Sequence, residues 1–202
     1  GYALVETQCE DAKNNKIFYL IIVVALIMLA GLIANIGNVA LVMLEILQND
    51  SGHLFVKLVG MSTGFILIPT FISKKIGIEF EEELVPFSKN QSILILVIIL
   101  LMNSIFIKSD EIFTALIVAI CEEYLFRYVA FHILFKEYHT FFTIIVTSLL
   151  FGLLLHINGD FWLNAMIKVP AGYLLSRVGL KFGLQYSIAI HWLHNVVVGK
   201  II

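Results

Sequence analysis

The chain has 202 residues, 60% of them hydrophobic and only 14% charged, with a net charge of −2 and a mean hydropathy of +0.96. Soluble domains average roughly 45–50% apolar and about 25% charged residues, so an ordinary soluble domain is excluded. The near-neutral charge gives no electrostatic reason to expect a nucleic-acid partner, and two cysteines, Cys9 and Cys121, are too few for a disulfide framework.

In chain order, residues 1–16 form a polar N-terminal tail, too polar for a signal peptide. Seven apolar segments follow: Ile17 to about Leu44, Leu54–Ile72, Ser92–Ile107, Ile112–Leu134, Thr140–Leu155, Phe161 to about Leu175, and Leu184–Ile202. Apolar runs of about 20 residues read as transmembrane helices. Lipid forbids open sheet edges, so the expectation is an all-α, polytopic transmembrane helical bundle of about seven spans, with residues 17–202 as one domain. The interior holds one extended polar loop, Lys74–Gln91; connections in the C-terminal half are only a few residues long. The basic residues favour an inside N-terminus and an outside C-terminus. The Ile- and Lys-leaning composition points to a prokaryotic cell membrane.

The fourth segment contains AICEEYLFRYVAF, which sets Glu122, Glu123 and Arg127 among apolar and aromatic neighbours. A charge at the centre of a membrane helix costs about 2.5–3.5 kcal/mol on insertion scales, so such residues are functional candidates. Glu123 and Arg127 are four apart and can pair on one face. Glu122 is rotated about 100° from Glu123, which leaves it as the free carboxylate facing a cavity.

Two further segments supply polar partners. His156 ends the fifth, and YSIAIHWLHN in the seventh places His191 and Asn195 four apart, with His194 off that face. In a bundle, Glu122, His156, His191 and Asn195 can converge on one pocket. A desolvated carboxylate beside a histidine can take a proton from water, and a second histidine with an asparagine amide suits a developing oxyanion. No serine or cysteine stands out as a nucleophile: Ser187 lies one turn before His191, and Cys121 has no obvious base. The rival chemistry is a zinc site built from Glu122, His156, His191 and His194, although no HEXXH signature is present.

EEYLFR fits EExxxR and HWLHN fits HxxxN, with a helix ending in His156 between them. This order resembles the CPBP family of intramembrane proteases, which includes CAAX prenyl endopeptidases and bacteriocin-processing and self-immunity proteins, over about residues 112–200. The resemblance implies a glutamate-type peptidase with no metal cofactor. Carried over by position, Glu122 is the general base working with His156, His191 and Asn195 form the oxyanion hole, and Glu123 and Arg127 brace the site. The implied substrate is a peptide or C-terminal segment of a lipidated or membrane-anchored protein, met within membrane lipid. One departure stands out: the family's FxxxH motif has Gly152 at its Phe position here, with Phe151 one residue earlier. Two readings from other classes are a non-catalytic immunity or scaffold protein and a small proton-coupled transporter.

Overall fold

The computed structural model describes residues 2–45, 48–155 and 160–201, with side chains over 13–45, 48–155 and 160–199. Every regular element among them is helical. Each apolar segment becomes one continuous helical rod: α1, Tyr2–Met43; α2, Asp50–Lys75; α3, Lys89–Ile107; α4, residues 112–134; α5, Thr140–Leu154; α6, Phe161–Phe182; and α7, Leu184–Ile201. Among the described residues three stretches are long and apolar enough to cross a membrane, namely Lys13–Met43 in α1, α2 and α3.

Local chemistry sets the ends of the rods. The Asn49 side chain caps α2 by accepting from the Gly52 N–H, and Ser88 caps α3 by accepting from Gln91. The third rod is therefore longer than the apolar run alone suggests, because Lys89, Asn90 and Gln91 continue it. Asp160 caps α6 by accepting from Trp162 and Leu163, as N-cap carboxylates do for orphan amides. α6 runs past Pro170 to Phe182 and stops at Gly183, whose φ of +123° disfavours a side chain.

The molecule is apolar outside as well as inside. Only 6% of the apolar window of α3 is buried, and Phe106, Val42 and Met43 are among the exposed large side chains. Continuous exposed apolar surface of this extent is a surface for lipid rather than water.

The helix bearing the charges sits at the centre. On one side of α4, Leu125, Phe126, Val129 and Ile133 pack with Val23 and Ile27 of α1 and Phe65 of α2. On another, Ala115 and Ala119 admit Trp192 and Val196 of α7 and Ile99 of α3. The Trp192 indole N–H donates to the Ile112 carbonyl at 2.8 Å, so this tryptophan is a buried α4–α7 tie and not a lipid-facing ring.

The loop between α2 and α3 is pinned across the same helix. Phe80 stacks on Tyr128 with centroids 5.3 Å apart. His132 Nδ1–H donates to the Tyr128 carbonyl at 2.6 Å, leaving Nε2 to accept from the Glu81 N–H at 3.0 Å. The Pro86 carbonyl accepts from the Leu184 N–H at 2.8 Å, which ties the loop to the start of α7.

Two close approaches set the spacing around α4. A Cβ on Gly152 of α5 would lie 2.4 Å from a Val169 methyl and 2.9 Å from the Val169 backbone nitrogen of α6. A Cβ on Gly172 would meet Arg127, Phe151 and Ser148, each at 3.2 Å. Small residues let membrane helices approach in this way. Gly152→Ala should therefore destabilise the protein by about 1–3 kcal/mol through overpacking, outweighing the roughly 1 kcal/mol that alanine gains in helix propensity. Unfolding in detergent measures this, and an unchanged or raised midpoint would mean that α5 and α6 do not pack as described.

Candidate active site

Glu123 and Arg127 are both fully buried, and the structure links them across four helices. Arg127 Nη1 lies 3.3 Å from Glu123 Oε1. Its Nη2 donates to the Gly172 carbonyl of α6 at 3.0 Å, and its guanidinium lies 4.6 Å from the centre of the Phe151 ring of α5. From α7, the Ser187 hydroxyl donates to Glu123 Oε2 at 2.5 Å, and His191 Nδ1 lies 2.7 Å from Glu123 Oε1. A buried carboxylate needs such partners, since an unpaired charge in a low-dielectric interior is heavily penalised.

The division of labour inferred from spacing is thus incomplete. Glu123 does pair with Arg127, but it is not turned away from the histidine helix. It grips His191. Already ion-paired to Arg127 and accepting from Ser187, Glu123 is the acceptor in this contact, so the Nδ1 proton belongs to His191. A carboxylate that fixes an imidazole's tautomer and ring plane is a recurring device at both catalytic and metal-binding histidines. Ser187, set aside as a nucleophile, acts as a hydrogen-bond donor to this carboxylate.

Glu122 takes the other direction. It is buried but reaches a cavity of about 220 Å³, whose lining includes Glu122, Phe151, Lys168, His191, His194 and Asn195. Its Oε2 lies 3.4 Å from His191 Nε2, so the imidazole stands between the two adjacent glutamates. Asn195 lines the same cavity one turn beyond His191, and its amide makes no hydrogen bond to a described residue. The fold therefore brings Glu122, His191 and Asn195 together at one cavity, with Glu123 and Arg127 immediately behind. His156 lies outside the described residues.

Of the four π-helical turns among the described residues, two lie at the site: Tyr124–Val129 follows Glu123 directly, and a second, Leu150–Leu154, surrounds Phe151. Such turns insert one residue into the helical register and are frequent at functional sites. The second bears on the Gly152 departure. A π turn shifts the helical register by one residue, the same offset that separates Phe151 from the family's Phe position. Phe151 is buried, meets the His191 ring edge-on at 5.8 Å and 89°, and lies beneath Arg127.

Three members of this constellation were not assigned to the site from the motifs: Ser187, Phe151 and Lys168. Lys168 carried one usable signal, a charge within an apolar helix. The other two needed the packing of α5 and α7 on α4. Among the described residues no group of three or more His, Cys, Asp or Glu side chains is arranged to hold a metal ion.

Apolar helices with lipid-facing surfaces, enclosing a cavity lined by a carboxylate, an imidazole and an amide, describe an integral membrane protein. A family model described as type II CAAX prenyl endopeptidase Rce1-like matches residues 90–197, just over half of the chain, and the chain belongs to this family of proteases. The match agrees with the CPBP resemblance carried by EEYLFR and HWLHN, and it begins one helix earlier, within α3. No curated protein and no solved structure matches the chain.

The buried pair predicts graded losses of stability. Arg127→Ala strands Glu123 and should cost about 3–5 kcal/mol. Ser187→Ala removes one donor to the same carboxylate and should cost less, about 1–3 kcal/mol. Unfolding of the purified variants in detergent tests the order, and an Arg127→Ala protein as stable as wild type would contradict the network.

Proposed function

We propose that this protein is a glutamate-type intramembrane endopeptidase acting on membrane-associated or lipidated proteins near their C-termini. The observation that carries the reading is the shared cavity: a glutamate within 4 Å of a histidine, that histidine fixed by a second glutamate, and an asparagine one turn away whose amide makes no hydrogen bond to a described residue. The family match supports a membrane-associated protein as the substrate. The seven helical rods support a multi-pass bundle of seven spans as a single domain, with the motif core at about residues 112–200; the Ile- and Lys-leaning composition is the ground for a prokaryotic cell membrane.

In this reading Glu122 and His156 take a proton from a water molecule as its oxygen attacks the scissile carbonyl. The carbonyl π electrons move to oxygen, and the resulting oxyanion accepts hydrogen bonds from His191 Nε2–H and the Asn195 amide. Because Nδ1–H is committed to Glu123, donation from Nε2 requires the doubly protonated ring. Collapse of the tetrahedral species breaks the C–N bond, and the proton taken from water passes to the leaving amine. Glu123 and Arg127 act as positioning residues, holding His191 and the helix that carries Glu122. Donors fixed in advance within a dry site stabilise charge more strongly than the same groups in water.

Glu122→Gln should lower cleavage by about 10²–10⁴-fold, the range for loss of a general base, while the protein still inserts and remains monodisperse in detergent. Wild-type rates from this variant would remove Glu122 from the reaction. Catalysis by water activated on Glu122 and His156 alone further predicts that prolonged exposure to a strong chelator leaves activity intact. Activity lost to chelator and restored by zinc would instead recruit His191 and His194 as ligands.

A further inference from the structure

The mechanism leaves one charged group of the cavity unused. Lys168 lies on α6 among apolar residues, and its side chain shares the cavity with Glu122, His191 and Asn195. Arg127 lies within 4 Å of Glu123, and His191 within 4 Å of both glutamates, whereas no described carboxylate lies within 4 Å of the Lys168 ammonium. Lys168 is half-buried and makes no hydrogen bond or ion pair with any described residue. It is near enough to interact electrostatically with Glu122 without forming a bridge to it.

Placing an ammonium group on an apolar helix is costly, and because Glu122 does not bridge to it, the group is open to an anion that arrives with the substrate. The surroundings narrow the choice. The rest of α6 that faces the cavity is Ile167, Ala171, Leu174 and Leu175, all apolar. At about 220 Å³ the space is below the roughly 300–1,000 Å³ of pockets for drug-sized ligands, so it admits a short length of peptide. A stretch from the middle of a chain brings no backbone charge. A chain that ends in the cavity brings a carboxylate at a fixed distance from the scissile bond, whatever its side chains.

We propose that Lys168 binds the α-carboxylate at the C-terminus of the peptide substrate, and so measures the distance from the chain end to the bond that Glu122 attacks. This rests on the peptidase reading and adds a recognition residue to it. An ammonium group is well matched to such a ligand, because its three donors sit on a flexible stem that can follow a terminus differing slightly between substrates.

The test compares one peptide ending in a prenylated CAAX sequence, made as the free acid and as the C-terminal carboxamide, with purified enzyme in detergent. Wild type should cleave the acid with a kcat/KM about 10- to 100-fold higher, the range expected for losing a hydrogen bond to a charged group, with most of the difference in KM. In Lys168→Met that ratio should fall towards one, and Lys168→Arg should restore much of it. Equal cleavage of acid and amide by wild type overturns the assignment and leaves the peptidase reading standing. A Lys168→Met enzyme that is slower on both forms with the ratio preserved also overturns it, and makes Lys168 an electrostatic neighbour of Glu122. Cleavage of neither form by wild type removes the peptidase reading, and this inference with it. The wild-type comparison needs no variant, so a misfolded Lys168→Met protein does not remove the test.

Discussion

The ion pair between Glu123 and Arg127 is the interaction on which the rest of the structure depends. Two full charges with no exposure to solvent are tolerable only if each finds several partners. Those partners come from three other helices: the Gly172 carbonyl on α6, the Phe151 ring on α5, and Ser187 and His191 on α7. Satisfying the pair thus fixes where α5, α6 and α7 stand around α4. A membrane protein gains little from the hydrophobic effect between its helices, because lipid is as apolar as they are. A buried polar network then specifies one arrangement where apolar packing alone would allow several.

The same pair divides the work of two adjacent glutamates. The turn between Glu122 and Glu123 sends one carboxylate into the network and the other into the cavity. Because His191 touches both, the structural network and the reactive cavity share a residue. Rigidity is thereby delivered to the atom where a reaction needs it. An imidazole held on one nitrogen by an ion-paired carboxylate can present its other nitrogen without rotating away. The two π turns serve the same end. One follows Glu123 along α4, and the other brings Phe151 under Arg127 and against His191.

Close helix approach makes this geometry possible. Gly152 and Gly172 let the backbone of α6 come near enough for its carbonyl to reach Arg127 and for its Lys168 to join the cavity. Gly152 and Gly172 are therefore packing positions. A side chain at either would push α6 away from the ion pair it helps to satisfy.

The apolar runs determined the membrane class and the helical rods among the described residues, because hydrophobicity and helical propensity act over a few residues and leave their mark locally. EEYLFR and HWLHN likewise marked Glu122, Glu123, Arg127, His191 and Asn195, since charged and amide groups inside apolar helices are too costly to be accidental. Only the tertiary structure decided that Glu123 holds His191, that Ser187 donates to that carboxylate, that Phe151 fills the place beside Gly152, and that Lys168 faces the cavity. Each of these joins side chains on different helices, far apart along the chain. Whether such groups meet depends on helix rotation and separation, which the buried ion pair and the glycine contacts impose and which no local pattern in the chain records.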